Sequence, residues 1–131
     1  MPNEIQPINN NAVSLTQNID ADVQKALALI DIVDKQDGKI TAQRMKELLI
    51  DYILANMRGD RTEMKAIQEQ MNKVMQTYTK NIQEGNELVS KLKTMEGNSV
   101  HSSKDLTYLQ SLITALQQDV ASGDMSNLYQ F

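Results

Sequence analysis

Cysteine and tryptophan are absent from this 131-residue sequence, phenylalanine occurs once and proline twice. The lack of cysteine excludes disulfides, thiolate metal sites and cysteine nucleophiles. Aromatic residues make up only 4% of the chain and methionine occurs eight times, so we expect apolar stripes rather than a large core built on rings. The prolines are Pro2 and Pro7, so none interrupts a helix later in the chain.

Long apolar runs and an excess of basic charge are also missing. No run approaches the roughly 18 apolar residues that cross a bilayer, and residues 1–19 lack the basic flank and apolar centre of a cleaved secretory signal. The 13 basic and 17 acidic residues give a net charge of −4, which disfavours nucleic acid as a partner. The sequence therefore predicts neither stable membrane insertion nor nucleic-acid binding.

The spacing of apolar residues divides the chain into a tail and a helical domain. Residues 1–18 are rich in asparagine and carry one charged side chain, Glu4, which predicts a disordered N-terminal tail. From Ile19 onward, apolar residues recur at steps of three and four. This pattern predicts a single all-α domain over 19–131, with helices at about 20–35, 41–58, 60–95 and 103–121.

The segment between the first two predicted helices resembles a calcium-binding loop only in part. Gly38 fits the sixth position of an EF-hand loop, but Val33, Lys35 and Arg44 would then occupy ligand positions one, three and twelve. Two cations and a missing acidic ligand exclude calcium there. The same residues predict a simple turn at Gly38, followed by a helix that Thr41 caps.

Two helices near the C-terminus carry regular heptad-like stripes. A loop over 96–104 joins them, so we expect them to fold back as an antiparallel helical hairpin, in a coiled-coil-like bundle. Asn81 and Gly85 interrupt the first stripe at its middle, where a buried asparagine could fix the register. The candidate interaction residues are those of the two stripes: Met64, Ile67, Met71, Val74, Tyr78, Leu88, Leu92 and Met95, then Leu106, Leu109, Ile113, Leu116 and Val120.

Polar side chains near the second loop do not form a recognisable catalytic site. His101 is the only histidine and lies in a polar stretch without cysteine, so we expect a solvated loop side chain rather than a metal ligand. Ser99, Ser102 and Ser103 lie beside it. Ser102 and Asp105 resemble a helix-capping box, which explains a serine there without a nucleophilic role.

Two further groups of residues have structural explanations. Asp31, Asp34 and Asp37 share a helix face, and we interpret them as its solvated side rather than as paired catalytic acids. We therefore predict a protein that is not an enzyme and has no catalytic residues, cofactor or metal site. The methionines suit an adaptable core or a surface that repacks on partners, and they stand at 45, 57, 64, 71, 75 and 95.

The asparagine-rich tail "MPNEIQPINNNAVSLTQN" and the stripes of Met64–Met95 and Leu106–Val120 together resemble a known group of proteins. The chain looks like a small helical component of bacterial type III secretion, in the group of needle, filament and hydrophilic translocator (needle-tip) proteins. That resemblance implies export in unfolded form, an uncleaved export signal within the tail, and assembly through a helical hairpin. The chain departs from filament and tip proteins in being shorter.

The functional hypothesis is a non-enzymatic interaction or assembly protein of a type III secretion apparatus that acts through its striped helices. Its expected partners are identical or related helical subunits, with a secretion chaperone as a further candidate. Its expected location is outside the bacterial cell without a Sec signal, or the cytoplasm before export. The alternative is a cytosolic chaperone or regulator that binds a secretion-related partner through a methionine-rich apolar face.

Overall fold

The structure is a computed structural model that describes the backbone of residues 2–97, 101–124 and 128, and the side chains of those residues from Ile19 onward. It contains three α-helices: α1 over Pro2–Arg58, α2 over Arg61–Met95 and α3 over Ser103–Ser122. No strand occurs in the described ranges. The predicted all-α class is confirmed.

The first helix is longer than the sequence predicts. It runs without interruption through Gly38, so the predicted turn there, and the division into helices at about 20–35 and 41–58, are wrong. The sequence pattern does not show that the helix is continuous, because polar residues interrupt its apolar stripe. Asp37 and Thr41 occupy the inward positions between the apolar Val33 and Met45. The backbone of residues 2–18 also belongs to α1, where the sequence predicts a disordered tail; the side chains of 1–18 lie outside the described set.

Gly59 separates α1 from α2. It adopts a φ of 71°, in the left-handed region that favours glycine, and its N–H donates to the Asn56 carbonyl over 3.0 Å. The N–H of Asp60 donates to the Ala55 carbonyl over 3.0 Å, which completes a Schellman-type ending. The Asp60 carboxylate then accepts a 3.1 Å hydrogen bond from the Glu63 N–H. The heptad spacing leaves open whether one helix continues through Gly59, and the structure shows that α1 ends before it.

The packing forms two compact units, where the sequence predicts one domain. The first unit comprises Met1–Val33 with Glu87–Phe131. Its core joins one stripe from each helix, and the buried members are Ile19, Val23, Ala26, Ile30 and Val33 of α1, Leu92 and Met95 of α2, and Leu109, Leu112, Ile113 and Leu116 of α3. The first unit is therefore a three-helix arrangement rather than a hairpin of α2 and α3 alone, because α1 supplies a third apolar stripe.

A buried carboxylate fixes the end of the first unit. Asp119 of α3 is fully buried and accepts a 2.8 Å hydrogen bond from the Leu128 N–H. The last segment contains three apolar residues, Leu128, Tyr129 and Phe131, which the sequence predicts to dock on the helices. Leu128 joins the core of this unit, and Tyr129 and Phe131 lie outside the described residues.

The capping residues predicted for α3 are confirmed. The Ser102 side chain accepts a hydrogen bond from the Asp105 N–H, and the Asp105 carboxylate accepts one from the Ser102 N–H, each over 3.3 Å. At the other end Gly123 has a φ of 77° and its N–H donates to the Asp119 carbonyl over 2.8 Å. Local sequence therefore sets both ends of this helix.

The second unit, Asp34–Asn86, is an antiparallel hairpin of α1 and α2. Pairs of contacting residues show the direction, because Asp37 meets Asn81 while Tyr52, further along α1, meets Gln68. The buried centre consists of Leu48, Ala55 and Ile67, and half-buried neighbours surround it: Tyr52, Met64, Met71 and Val74. The antiparallel hairpin that the sequence predicts therefore exists, but α1 rather than α3 pairs with this half of α2.

Candidate functional site

The residues predicted to bind partners lie in the two cores of the protein. Every striped position of α2 is buried or half-buried, whereas nearly all other positions of that helix are exposed. Met64, Ile67, Met71 and Val74 pack in the second unit, where Tyr78 is half-buried. The rest pack in the first unit: Leu88, Leu92, Met95, Leu106, Leu109, Ile113, Leu116 and Val120. The stripes thus pack against other helices of the same chain, and a surface that is open to partners lies elsewhere.

The opposite side of α1 in the second unit carries an exposed apolar surface. We call this surface the outer face. It consists of Leu49, Ile50, Ile53, Leu54 and Met57, whose exposed fractions are 51%, 49%, 49%, 47% and 78%. At about 100° per residue, these side chains centre roughly opposite the buried Leu48 and Ala55. This half of α1 is therefore apolar on two sides, and only one of them is covered within the second unit.

The sequence contains a signal for the outer face. Leu49, Ile53 and Met57 belong to an apolar side of the predicted second helix that is wider than a coiled-coil seam. A single partner helix covers a narrower stripe, so the surplus width indicates a second contact. The sequence alone does not show which part of this wide apolar side is covered by α2.

Charged residues border the outer face at each end. Lys46 precedes it and Arg58 follows it on α1, and both are exposed. On the helical wheel, Lys46 lies on the same side of α1 as Ile53 and Met57. The surface is thus an apolar strip with one cation before it and another after it.

A polar contact crosses the middle of the α1–α2 hairpin. The Asn81 amide donates a 3.3 Å hydrogen bond to the Asp37 carboxylate, and Asn81 is buried. Burial raises the pKa of Asp37 above its usual 3.8, and the hydrogen bond from Asn81 opposes that rise. A carboxylate and an amide that face each other at one level favour a single register between the helices. The predicted register role of Asn81 therefore has a partner, which the sequence did not identify.

Small residues accompany this polar contact. A Cβ added at Gly85 would lie 3.4 Å from the Asp34 carboxylate, and one added at Gly38 would lie 3.6 Å from the Tyr78 hydroxyl. An open cavity of about 290 Å³ adjoins the contact. It is open to solvent and its lining includes Arg44 and Lys73, so it is a shallow groove between helices rather than an enclosed ligand site.

The described carboxylates of α1 are not arranged as a calcium loop. A calcium loop needs a non-helical backbone to converge its oxygens, and α1 is helical throughout this stretch. Among the described residues, no group of three or more histidine, cysteine, aspartate or glutamate side chains is placed to hold a metal. Asp31 and Asp34 are exposed, whereas Asp37 turns towards Asn81.

His101 differs from its predicted environment. The sequence predicts a solvated loop histidine, but only 1% of its side chain is exposed. Its Nδ1 lies 3.6 Å from the Asp105 carboxylate, too far for a hydrogen bond, and both ring nitrogens are buried with no hydrogen-bond partner in the structure. The difference arises because His101 directly precedes the Ser102 cap, where an inward ring packs beside the first turn of α3. Ser103 begins α3, and Ser99 lies outside the described residues.

Comparison with known proteins finds no family model that matches this sequence, no matching curated protein and no matching solved structure. No helix within the described residues is long and apolar enough to cross a membrane. The outer face of α1 therefore stands as the candidate functional site on its geometry alone: a strip of five large exposed apolar side chains on one side of the helix.

Proposed function

We propose that this protein is a non-enzymatic helical interaction protein that assembles with other helical subunits through the outer face of α1. The observation that carries the proposal is the exposure of Leu49, Ile50, Ile53, Leu54 and Met57 together on one helix side. Single exposed apolar residues are ordinary on a protein surface, but a contiguous group of this kind is typical of a binding site. The heptad stripes then act as the scaffold that presents this surface.

Sedimentation velocity over a hundredfold concentration range tests the role of the outer face. The wild-type chain should form larger species as concentration rises, and Ile53→Glu should remain monomeric because a carboxylate cannot be buried without a partner. Ile82→Glu is the matched control, since Ile82 is an exposed isoleucine of α2 with 42% exposure against 49% for Ile53. Equal loss of association in both variants, or association that Ile53→Glu leaves intact, would remove the assignment to this face.

The wider proposal is that the chain is an exported component of a bacterial type III secretion apparatus. Its support is the resemblance of the tail and stripes described above, and a tail that acts as an export signal would lie within residues 1–18. A reporter enzyme fused after residue 18 should reach the medium from a strain with an active type III apparatus. It should stay in the cells of an export-deficient strain; equal release from the two strains would disprove the export signal.

The alternative of a chaperone that binds through a methionine-rich face gains less support. That function needs Met64 and Met71 to be accessible, but both pack around the core of the second unit. Met57 is the most exposed of the large apolar residues at 78%, and it belongs to the outer face of α1. Met75 of α2, at 43%, is the other exposed methionine among the described side chains, so the two stand on different helices.

A further inference from the structure

Arginine, glycine and aspartate follow one another in the turn that joins α1 to α2. They are Arg58, Gly59 and Asp60, and all three are exposed. We propose that this turn binds a receptor protein that holds a divalent cation beside an acidic pocket, with Asp60 as a ligand of the cation and Arg58 paired with the acid. Such binding is a function separate from assembly, because the outer face of α1 takes no part in it.

The turn lies at the tip of the hairpin in the second unit. α1 ends at Arg58 and α2 begins at Arg61, so only two residues connect the helices. From Asp37, where Asn81 crosses between the helices, α1 extends about 30 Å further to Arg58. A Cβ added at Gly59 would meet no atom within 4 Å. The tip can therefore enter a cleft on another protein while both helices stay in place.

Hydrogen bonds hold the turn in one conformation. Gly59 has a φ of 71°, and its N–H donates to the Asn56 carbonyl over 3.0 Å. The N–H of Asp60 donates to the Ala55 carbonyl over the same distance. A segment that is already ordered loses less conformational entropy when it binds, so a preformed turn favours recognition of so short a sequence.

Both charged groups of the turn keep binding capacity for a partner. One oxygen of the Asp60 carboxylate accepts the Glu63 N–H over 3.1 Å, and none of the described residues donates to the other oxygen. Arg58 forms no ion pair with any of those residues. Divalent cations such as Mg²⁺ prefer carboxylate oxygens as ligands, and a guanidinium pairs with a carboxylate through two parallel hydrogen bonds. The turn therefore complements a site in which a cation and an acid lie side by side.

Helix capping and metal binding place different demands on Asp60. A cap needs one oxygen that accepts from a backbone N–H, and asparagine supplies such an oxygen as well as aspartate does. Ligation of a cation by the second oxygen needs the negative charge. Asp60→Asn should therefore keep α2 capped and the chain folded while it removes the binding. That difference separates a binding role from a structural one.

Surface plasmon resonance with the immobilised chain tests whether the turn binds such a receptor. The probes are purified ectodomains of the integrins that bind the sequence arginine-glycine-aspartate, because their binding sites contain a divalent cation next to acidic residues. The wild-type chain should bind in Mg²⁺ or Mn²⁺. EDTA should abolish the binding, and a free peptide of the same three residues should compete for it.

Substitutions in the turn identify the residues that bind. Asp60→Asn and Arg58→Ala should each lower the affinity about tenfold or more, since each leaves a charge of the receptor unpaired. Asp51→Asn and Arg61→Ala are the matched controls from exposed positions of α1 and α2, and they should bind like the wild type. Circular dichroism melts establish that all four variants are folded.

Three results would overturn the role of the turn: no binding to any integrin ectodomain, binding that persists in EDTA, or equal losses in Arg58→Ala and Arg61→Ala. Failure here is distinguishable from failure of the assembly function, because Ile53→Glu should still bind the receptor as a monomer. Assembly without receptor binding removes only the role of the turn. Receptor binding by a chain that stays monomeric at every concentration removes only the assembly.

Discussion

Asp37 is a partly buried carboxyl group that accepts a hydrogen bond from Asn81. Burial of this carboxyl in the α1–α2 hairpin raises its pKa, and the hydrogen bond from Asn81 only partly offsets that effect. The folded protein therefore binds a proton at Asp37 more tightly than the unfolded chain does. The stability associated with this proton is fully present below the unfolded pKa of 3.8 and is lost as pH rises through the raised folded value.

We expect Asp37→Asn to remove this pH dependence while keeping an amide oxygen for Asn81. As pH rises from about 3.5 to about 6.5, the free energy of unfolding of the variant, measured with urea, should increase relative to that of the wild type. The relative increase should be less than about 1 kcal/mol because the site is partly solvated. Asp51→Asn, an exposed aspartate of the same helix, is the control. If the wild type instead became more stable relative to Asp37→Asn as pH rises over this range, the raised pKa of Asp37 would be contradicted.

Individual residues differ in how well the sequence predicts them. Ser102 and Asp105 cap α3 as predicted, because capping depends on neighbours within a few positions. The burial of His101 and Asp119 was not predicted; the Asp119 carboxylate is covered where the last segment brings the Leu128 N–H onto it. Their surroundings depend on packing, which a local pattern does not encode.

At the scale of helices, the glycine inside α1 and the glycine that follows its end have opposite roles. Gly38 lies inside α1 and its φ is not positive, whereas Gly59 follows α1 with a φ of 71°. The sequence predicts a turn near Gly38, which the structure does not contain, and leaves open whether a helix continues through Gly59, where α1 in fact ends. Alanine substitution distinguishes a glycine that a helix merely tolerates from one that the backbone requires.

We expect Gly38→Ala to stabilise the protein by up to about 1 kcal/mol, because alanine favours helix and the added Cβ meets Tyr78 at the ordinary distance of 3.6 Å. Gly59→Ala should destabilise it by about 1 kcal/mol, because its φ disfavours a side chain. Chemical denaturation followed by circular dichroism measures both. Destabilisation by Gly38→Ala would indicate that the predicted turn exists in solution.

At the scale of the whole molecule, many apolar side chains of the described residues pack in two buried cores, and five others form the exposed outer face of α1. Leu109 is fully buried in the first core, whereas Ile53 is half-exposed on the outer face. Leu109 is a candidate for contacts between chains on sequence grounds, because packing within a chain and between chains requires the same helical spacing of apolar residues. The two positions therefore provide separate measures of folding and association.

Leu109→Ala should lower the free energy of unfolding by about 2–5 kcal/mol, because it leaves a cavity in a core. Association of the molecules that remain folded should be unchanged. Ile53→Glu should do the reverse, reducing association with little effect on the monomer's melting. Thermal melts at low concentration, paired with sedimentation at high concentration, measure both quantities. Loss of association in Leu109→Ala at a temperature where it is folded would place that residue in an interface.

The sequence by itself determined that the chain is helical, where the cap of α3 lies, and which positions of α2 and α3 are apolar. These properties follow from the backbone preferences of neighbouring residues and from the helical period, so they are local. The tertiary structure decided that α1 continues through Gly38, that it supplies a third stripe to the first core, and that Leu49–Met57 remains uncovered. Those outcomes depend on which apolar surfaces meet, and helices with the same period can satisfy that requirement in several ways.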